Sequence, residues 1–175
     1  MIQEKMLDHI RLKEVFKTAY FRDLSKQTFE AEYSEGVATT AEEQARQLVG
    51  SLLDDFVIET ELIPKEFDFL AKDKQSFFSL LFPEKLIAQP LLFFKQGTPL
   101  IELSSLHSWK KGHGAAILDR LKSFSDKYDW ALMLFADVPW QVEYYKKYGF
   151  EDKGKLGVNG EYFMIYKKNK VTGWK

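Results

Sequence analysis

A chain of 175 residues with 45% hydrophobic and 29% charged side chains is long enough for one globular domain around a single core and short for two. A formal net charge of -1 gives no overall field that would draw nucleic acid or an anionic membrane, and the absence of cysteine excludes disulfides, a thiol nucleophile and cysteine-ligated zinc or iron–sulfur centres. The charged opening "MIQEKMLDHIRLK" is not a secretory signal, and the most apolar region, 77–94, is broken by Pro83, Glu84, Lys85, Gln89 and Pro90, so the expectation is a cytoplasmic protein with no membrane span.

In chain order, Leu12, Val15, Phe16, Ala19 and Tyr20 recur at helical spacing within 6–32 and predict an amphipathic helix. "TTAEEQARQLVGSLLDD" opens with Thr40 and Glu43 in capping-box positions and sets Leu48, Val49, Leu52 and Leu53 on one side, which predicts a second helix. "FVIETELI", from Phe56, is rich in β-branched residues and ends at Pro64, the pattern of a strand. The run "SFFSLLF" fits a short helix or a buried strand equally, since periodicity does not separate them at that length. "PLLFF", the turn "KQGTP" and "LIELSSLH" predict a hairpin, with Glu102 and Ser104 on one face of its second strand and Ile101 and Leu103 on the other.

After two glycines, Ile117, Leu118, Leu121 and Phe124 form the stripe of a helix. "WALMLFAD" is apolar throughout, as for a strand buried on both faces. "VPWQVEYYKKY" carries Pro139 where a first helical turn accepts it and stops at Gly149. "EDKGKLGV" and "EYFMIYKK" flank Asn159-Gly160, a strong hairpin signal. The expected fold class is mixed α/β: a mostly antiparallel sheet with flanking helices in a single domain of 1–175, with helices expected in residues 1–90 and the more regular pattern in 91–168.

The sequence "SWKKGHGAAILDRLKSF" sets a Gly-x-Gly before a strongly helical run. Free N–H groups at a helix start, backed by the helix dipole, bind phosphate, and glycines let a pyrophosphate come close to the backbone; equally, the glycines serve a tight turn and close packing. The pattern is neither a nucleoside-triphosphate loop nor the dinucleotide fingerprint, whose third glycine is replaced by Ile117. The three histidines have no metal-like spacing, so no metal is expected, and "LSSLHS" holds no nucleophile elbow. "YYKKYGF" interleaves bases and aromatics but is too short to predict nucleic-acid binding.

Taken together, "IELSSLH", "KKGHGAAIL", "ALMLFAD", "YYKKYGFED" and "EYFMIYKK" resemble the GNAT family of acyl-CoA-dependent N-acyltransferases over about residues 99–168. The family signature Arg/Gln-x-x-Gly-x-Gly/Ala is met at Gly112 and Gly114, with Trp109 in its first position and Lys110 and Lys111 beside it. Tyr145 stands four residues before Gly149-Phe150, as in the family's Tyr-x-x-x-Gly-Phe helix end.

The resemblance implies the GNAT-like fold, with 91–168 as the acyl-CoA-binding half and the divergent residues 1–90 as the acceptor side, and an N-acyltransferase, in its simplest form an acetyltransferase. It would move an acetyl group directly from acetyl-CoA, a co-substrate, to an amine of a small molecule or peptide. The strand of 100–107, through Leu106 and His107, would hydrogen-bond the pantetheine arm. Gly112, His113, Gly114 and Ala115 would hold the pyrophosphate through backbone N–H groups, with Lys111 as a point charge. Tyr145 would protonate the leaving thiolate. Glu102, on the strand face toward the expected cleft, is the candidate base, with His107 as its rival because of its intrinsic pKa. The alternative is a GNAT-like module that binds CoA or a partner without transferring acyl groups, and a homodimer is left open.

Overall fold

The computed structural model describes residues 21–33, 40–60, 66–83, 93–94 and 97–168. Among them the elements run α1 (Lys26–Tyr33), α2 (Thr40–Leu52), β1 (Phe56–Thr60), β2 (Glu66–Ala71), β3 (Ser76–Leu81), β4 (Leu100–Ser108), α3 (His113–Tyr128), β5 (Ala131–Ala136), α4 (Pro139–Lys146), β6 (Phe150–Asp152) and β7 (Tyr162–Tyr166). The strands hydrogen-bond in the order β1-β2-β3-β4-β5-β7-β6 as a seven-stranded sheet. Pairing is antiparallel for β1 with β2, β5 with β7 and β6 with β7, and parallel for β4 with β5. A parallel pair needs a long crossover, and α3 supplies it between β4 and β5. This is the mixed, mostly antiparallel α/β class that the sequence predicts.

By its contacts the chain divides into two compact units, Met1–Phe78 with Ser105–Gly114, and Ser79–Ser104 with Ala115–Lys175. In the first, Phe56, Ile58, Phe69 and Phe78 are buried together with Leu48, Val49, Leu52 and Leu53, the four residues predicted to share one side of α2. Phe69 and Phe78 stack with centroids 4.7 Å apart, and Phe56 meets Phe78 edge-on at 5.0 Å. "SFFSLL" is resolved as strand β3, with Ser76 to Leu80 buried. Burial on both faces is what removes its periodicity from the sequence.

The predicted helix over 6–32 is realised differently where it is described. Arg22 exchanges backbone hydrogen bonds with Ile58, donating at 2.8 Å and accepting at 3.0 Å, so the chain is extended there. The helix starts only at Lys26, after Ser25, whose hydroxyl accepts the Thr28 backbone N–H at 3.1 Å. An N-cap serine satisfies a donor that the first turn leaves free. Leu12 to Tyr20 and His9 lie outside the described residues.

In the second unit Ile117, Leu118, Leu121 and Phe124 are buried on α3 as predicted, and β5 is buried from Ala131 to Leu134. Burying each large side chain contributes roughly 1.5–3 kcal/mol, which outweighs the ~1 kcal/mol that a glycine costs in the first turn of α3. Ser125, buried in the same helix, donates its hydroxyl to the Trp130 carbonyl and so closes the turn into β5. The predicted hairpin before β4 is not seen in its described part, where Phe93 and Phe94 form a turn rather than a strand. Their rings pack on Phe163 at 5.7 and 6.4 Å. The Asn159-Gly160 hairpin does join β6 to β7, but β6 ends at Asp152 and the connection spans 153–161. Within it Gly157 N–H donates to Glu161 O and Asn159 N–H to the Glu161 carboxylate, an internal turn in place of a longer strand.

Helix α4 ends through short i to i+3 bonds, from Lys147 N–H to Tyr144 O at 3.2 Å, Tyr148 to Tyr145 at 3.0 Å and Gly149 to Lys146 at 3.1 Å. Gly149 then takes φ +91°, and a Cβ there would stand 3.3 Å from the Tyr166 ring. Both the left-handed backbone and the close ring favour glycine. Gly149→Ala is expected to lower stability by about 1–2 kcal/mol, read as a shift of the urea midpoint at unchanged m value.

Candidate functional site

Strand β4 alternates as its sequence dictates. Ile101 and Leu103 are buried on one face, while Glu102 is half-buried and Ser104 exposed on the other. The parallel register sets Leu100 against Ala131, Glu102 against Met133 and Leu103 against Leu134. Glu102 therefore shares its face with an apolar cluster of Leu100, Ala131, Met133 and Phe163, against which Phe135 and Ile165 also pack.

The β4–β5 ladder stops at Leu103↔Leu134, although β4 continues to Ser108 and β5 to Ala136. The next rung, Ser104 with Phe135, is missing within the second unit. Ser104 instead turns its hydroxyl toward the Ser79 carbonyl at 3.4 Å, and Phe135 packs on Phe163 at 5.2 Å. Sequence reasoning passes over both residues as sites. Their only signal is the first of two serines that end the alternation of β4 and an aromatic near the end of an apolar run in β5.

In the first unit, Leu106 and His107 are half-buried on β4, and the His107 ring lies over Phe77 at 6.3 Å. Trp109 N–H donates to Gln75 O at 2.8 Å and anchors the strand end. The chain then turns, with the Ser108 hydroxyl donating to Lys110 O at 2.7 Å and His113 N–H to the same carbonyl at 3.3 Å. Lys111 and Gly112 are exposed, and Gly112 has φ +89° with no atom within 4 Å of a would-be Cβ. That backbone region belongs to glycine, and its open side leaves room for a ligand to approach. His113 opens α3, Gly114 is buried as its second residue, and Ala115 follows half-buried. All three lie in the first turn, where helix N–H groups have no intrahelical acceptor.

Tyr145 lies on α4 in the second unit, half-buried. Its ring meets Tyr144 edge-on at 5.1 Å and Phe150 at 5.7 Å. At the start of the same helix Gln141 reaches back, its Oε1 accepting the Asp137 N–H at 2.7 Å. Burial is the main cause that raises the Tyr145 pKa, followed by the nearby Tyr144 and Asp137. Tyr144 is pushed up to about 12, by burial first and then by its charge interaction and hydrogen bond with Tyr148.

An unfolded tyrosine ionises near pH 10. Between that pH and the folded values, the unfolded chain has released protons that the native state keeps, so stability falls as pH rises. Below pH 10 these phenols contribute no slope. Urea unfolding at pH 9, 10 and 11 should show a steeper loss above pH 10 for the native sequence than for Tyr145→Phe, and parallel curves would contradict it.

Among the described residues no cluster of three or more His, Asp or Glu is placed to hold a metal ion, and no helix is long and apolar enough to cross a membrane.

No family model and no curated protein sequence matches the chain. Solved structures do. A histone acetyltransferase HPA2 and related acetyltransferase from Corynebacterium glutamicum is 15% identical, over 78% of this chain and 81% of its own, at a TM-score of 0.45. PaiA N-acetyltransferase from Thermoplasma acidophilum, in complex with coenzyme A, is 16% identical over 85% and 98%, at 0.39. Arabidopsis thaliana Naa50, with a bisubstrate analogue, is 14% identical over 59% and 72%, at 0.42. The chain's own strand order, its parallel β4–β5 pair and the glycine turn that opens α3 give it the GNAT-like fold that its sequence resembles.

Proposed function

We propose that the protein is an acyl-CoA-dependent N-acyltransferase, in its simplest form an acetyltransferase acting on an amine of a small molecule or peptide. The observation that carries this reading is the early end of the β4–β5 ladder at Leu103↔Leu134. Strand backbone beyond the last rung can pair with an extended ligand instead of a strand, as in β-strand addition, and a pantetheine arm carries two amides suited to that. Further along the same strand, Leu106 and His107 continue that backbone. The turn of Lys111 and Gly112, closed by the His113 N–H on the Lys110 carbonyl, leads into the first turn of α3, where Gly114 and Ala115 offer backbone donors to a pyrophosphate.

Acetyl-CoA supplies an acyl thioester, and the acceptor a neutral amine. In the transfer a C–N bond forms to the acyl carbon and the C–S bond breaks. Glu102, half-buried on an apolar face, takes the proton lost by the amine. Tyr145 keeps its phenol proton at neutral pH because burial penalises the phenolate. The same penalty makes it first a hydrogen-bond donor to the departing sulfur, the proton crossing as the C–S bond breaks. Acid and base are thus separate groups, and transfer is direct within a ternary complex.

The test is release of free thiol from acetyl-CoA in the presence of pools of polyamines, amino acids, aminoglycosides and peptide N-termini. Thiol release with one pool supports the transferase. Acetyl-CoA binding without release in any pool would favour a CoA-binding module without acyl transfer.

A further inference from the structure

Three tyrosines crowd the end of α4. Tyr144 sits with its ring centroid 5.1 Å from Tyr145 at 76°, and 5.1 Å from Tyr148 at 56°. On its other side Tyr145 meets Phe150 at 5.7 Å and 66°. Phe150 is buried and itself packs on Tyr166 at 5.8 Å. Tyr145 is therefore held between two edge-to-face contacts, the arrangement that aromatic quadrupoles favour. One side of this clamp is fixed in the core by Phe150. The other is fixed only as far as Tyr144 is.

Tyr144 has two supports of its own. Its ring rests against that of Tyr148, one helical turn on, at 5.1 Å. The Tyr148 ring in turn lies under Lys122, whose Nζ is 5.9 Å from its centroid and 5.5 Å from that of Tyr166. Tyr166 donates its hydroxyl to Asp126 at 3.0 Å, tying this layer to α3. Adjacent residues on a helix point about 100° apart, so a Tyr-Tyr pair gains such a contact only when the first ring is turned toward the second and held there.

We propose that Tyr144 is a positioning residue, whose ring edge, backed by Tyr148, fixes the direction of the Tyr145 phenol. This rests on the reading of Tyr145 as the group that serves the leaving sulfur. A phenol free to swing loses alignment with the breaking bond, and small misplacements of a catalytic group cost large factors in rate. The role requires the ring of Tyr144 and not its hydroxyl. Phenylalanine at 144 should therefore rescue what leucine loses.

The experiment compares the native sequence with Tyr144→Phe, Tyr144→Leu and Tyr145→Phe. Ring-flip rates of Tyr145 are measured by NMR on protein labelled with ε-13C tyrosine, without any acceptor. Tyr144→Leu is expected to speed the Tyr145 flip at least tenfold, and Tyr144→Phe to leave it within about twofold. With the amine pool that releases thiol, Tyr144→Leu should lower kcat about tenfold at unchanged KM for acetyl-CoA, Tyr144→Phe should restore it, and Tyr144→Leu should have no further effect in a Tyr145→Phe background. An unchanged Tyr145 flip rate in Tyr144→Leu overturns the positioning role. So does a faster flip with native kcat while Tyr145→Phe is slow. Native kcat in Tyr145→Phe, or no thiol release with any pool, removes the role of Tyr145 itself and this proposal with it, whatever the flip rates show. Should Tyr144→Leu fail to fold, Tyr144→Met is its substitute, an unbranched side chain of similar reach without a ring.

Discussion

Tyr145→Phe is expected to lower kcat by roughly 10²-fold, equivalent to about 2.7 kcal/mol of barrier, with little change in acetyl-CoA affinity. The substitution keeps the ring, so the edge contacts to Tyr144 and Phe150 survive and only the hydroxyl is lost. If the phenol served packing alone, turnover would stay nearly intact and stability would drop by about 1 kcal/mol. The two cases separate in one pair of measurements, steady-state kinetics and a urea melt. Because the Tyr145 pKa is raised by burial, its ionisation should place no basic limb on the kcat profile below about pH 10. Native kcat for Tyr145→Phe across the pH range would dismiss the assignment.

Gly114→Val is expected to weaken CoA binding by about 2 kcal/mol or more, close to thirtyfold, through loss of a charge-assisted backbone hydrogen bond and of the close approach. Gly114 is buried, so the added side chain also disturbs packing and the fold loses some stability. Gly114→Ala is therefore the gentler companion. Gly112 makes the contrast. Its side is open, and a substitution there acts mainly through the strain of φ +89°. Calorimetric titration of CoA into each folded variant decides the matter, and unchanged affinity in a folded Gly114→Val protein would end the phosphate-loop reading.

What the sequence made legible were the features written in side-chain pattern. The stripe Ile117, Leu118, Leu121 and Phe124 on α3, the alternation from Ile101 to Ser104 and the Pro139 start of α4 all follow from local periodicity and turn chemistry. Strand β3 was ambiguous because burial on both faces erases the alternation that identifies a strand. Strand β2, "EFDFLA", was not foreseen because it lies in a segment where charges and aromatics mix without a clean period. The end of the β4–β5 ladder was invisible for another reason. Register is a relation between two strands distant in sequence, and neither Ser104 nor Phe135 announces it alone. For the candidate site, sequence supplied the residue types at 102, 112, 114 and 145. The enclosure of Tyr145 by Tyr144 and Phe150 came only with the folded helix end.

The short strand β6 has a bearing on how copies of this protein meet. Among the described residues it is the last strand of the sheet, three residues long, and its central Glu151 is drawn into ion pairs with Lys153 at 3.0 Å and Lys167 at 3.3 Å. Those hydrogen bonds hold the Glu151 carboxyl below the usual carboxylate range, so the charge persists into mildly acidic solution. A brief strand topped by charge offers a poor template for another chain's backbone. At this border the sheet is guarded against edge-to-edge growth, the route by which open sheets seed aggregates, and self-association through β6 would first have to break up that charged group.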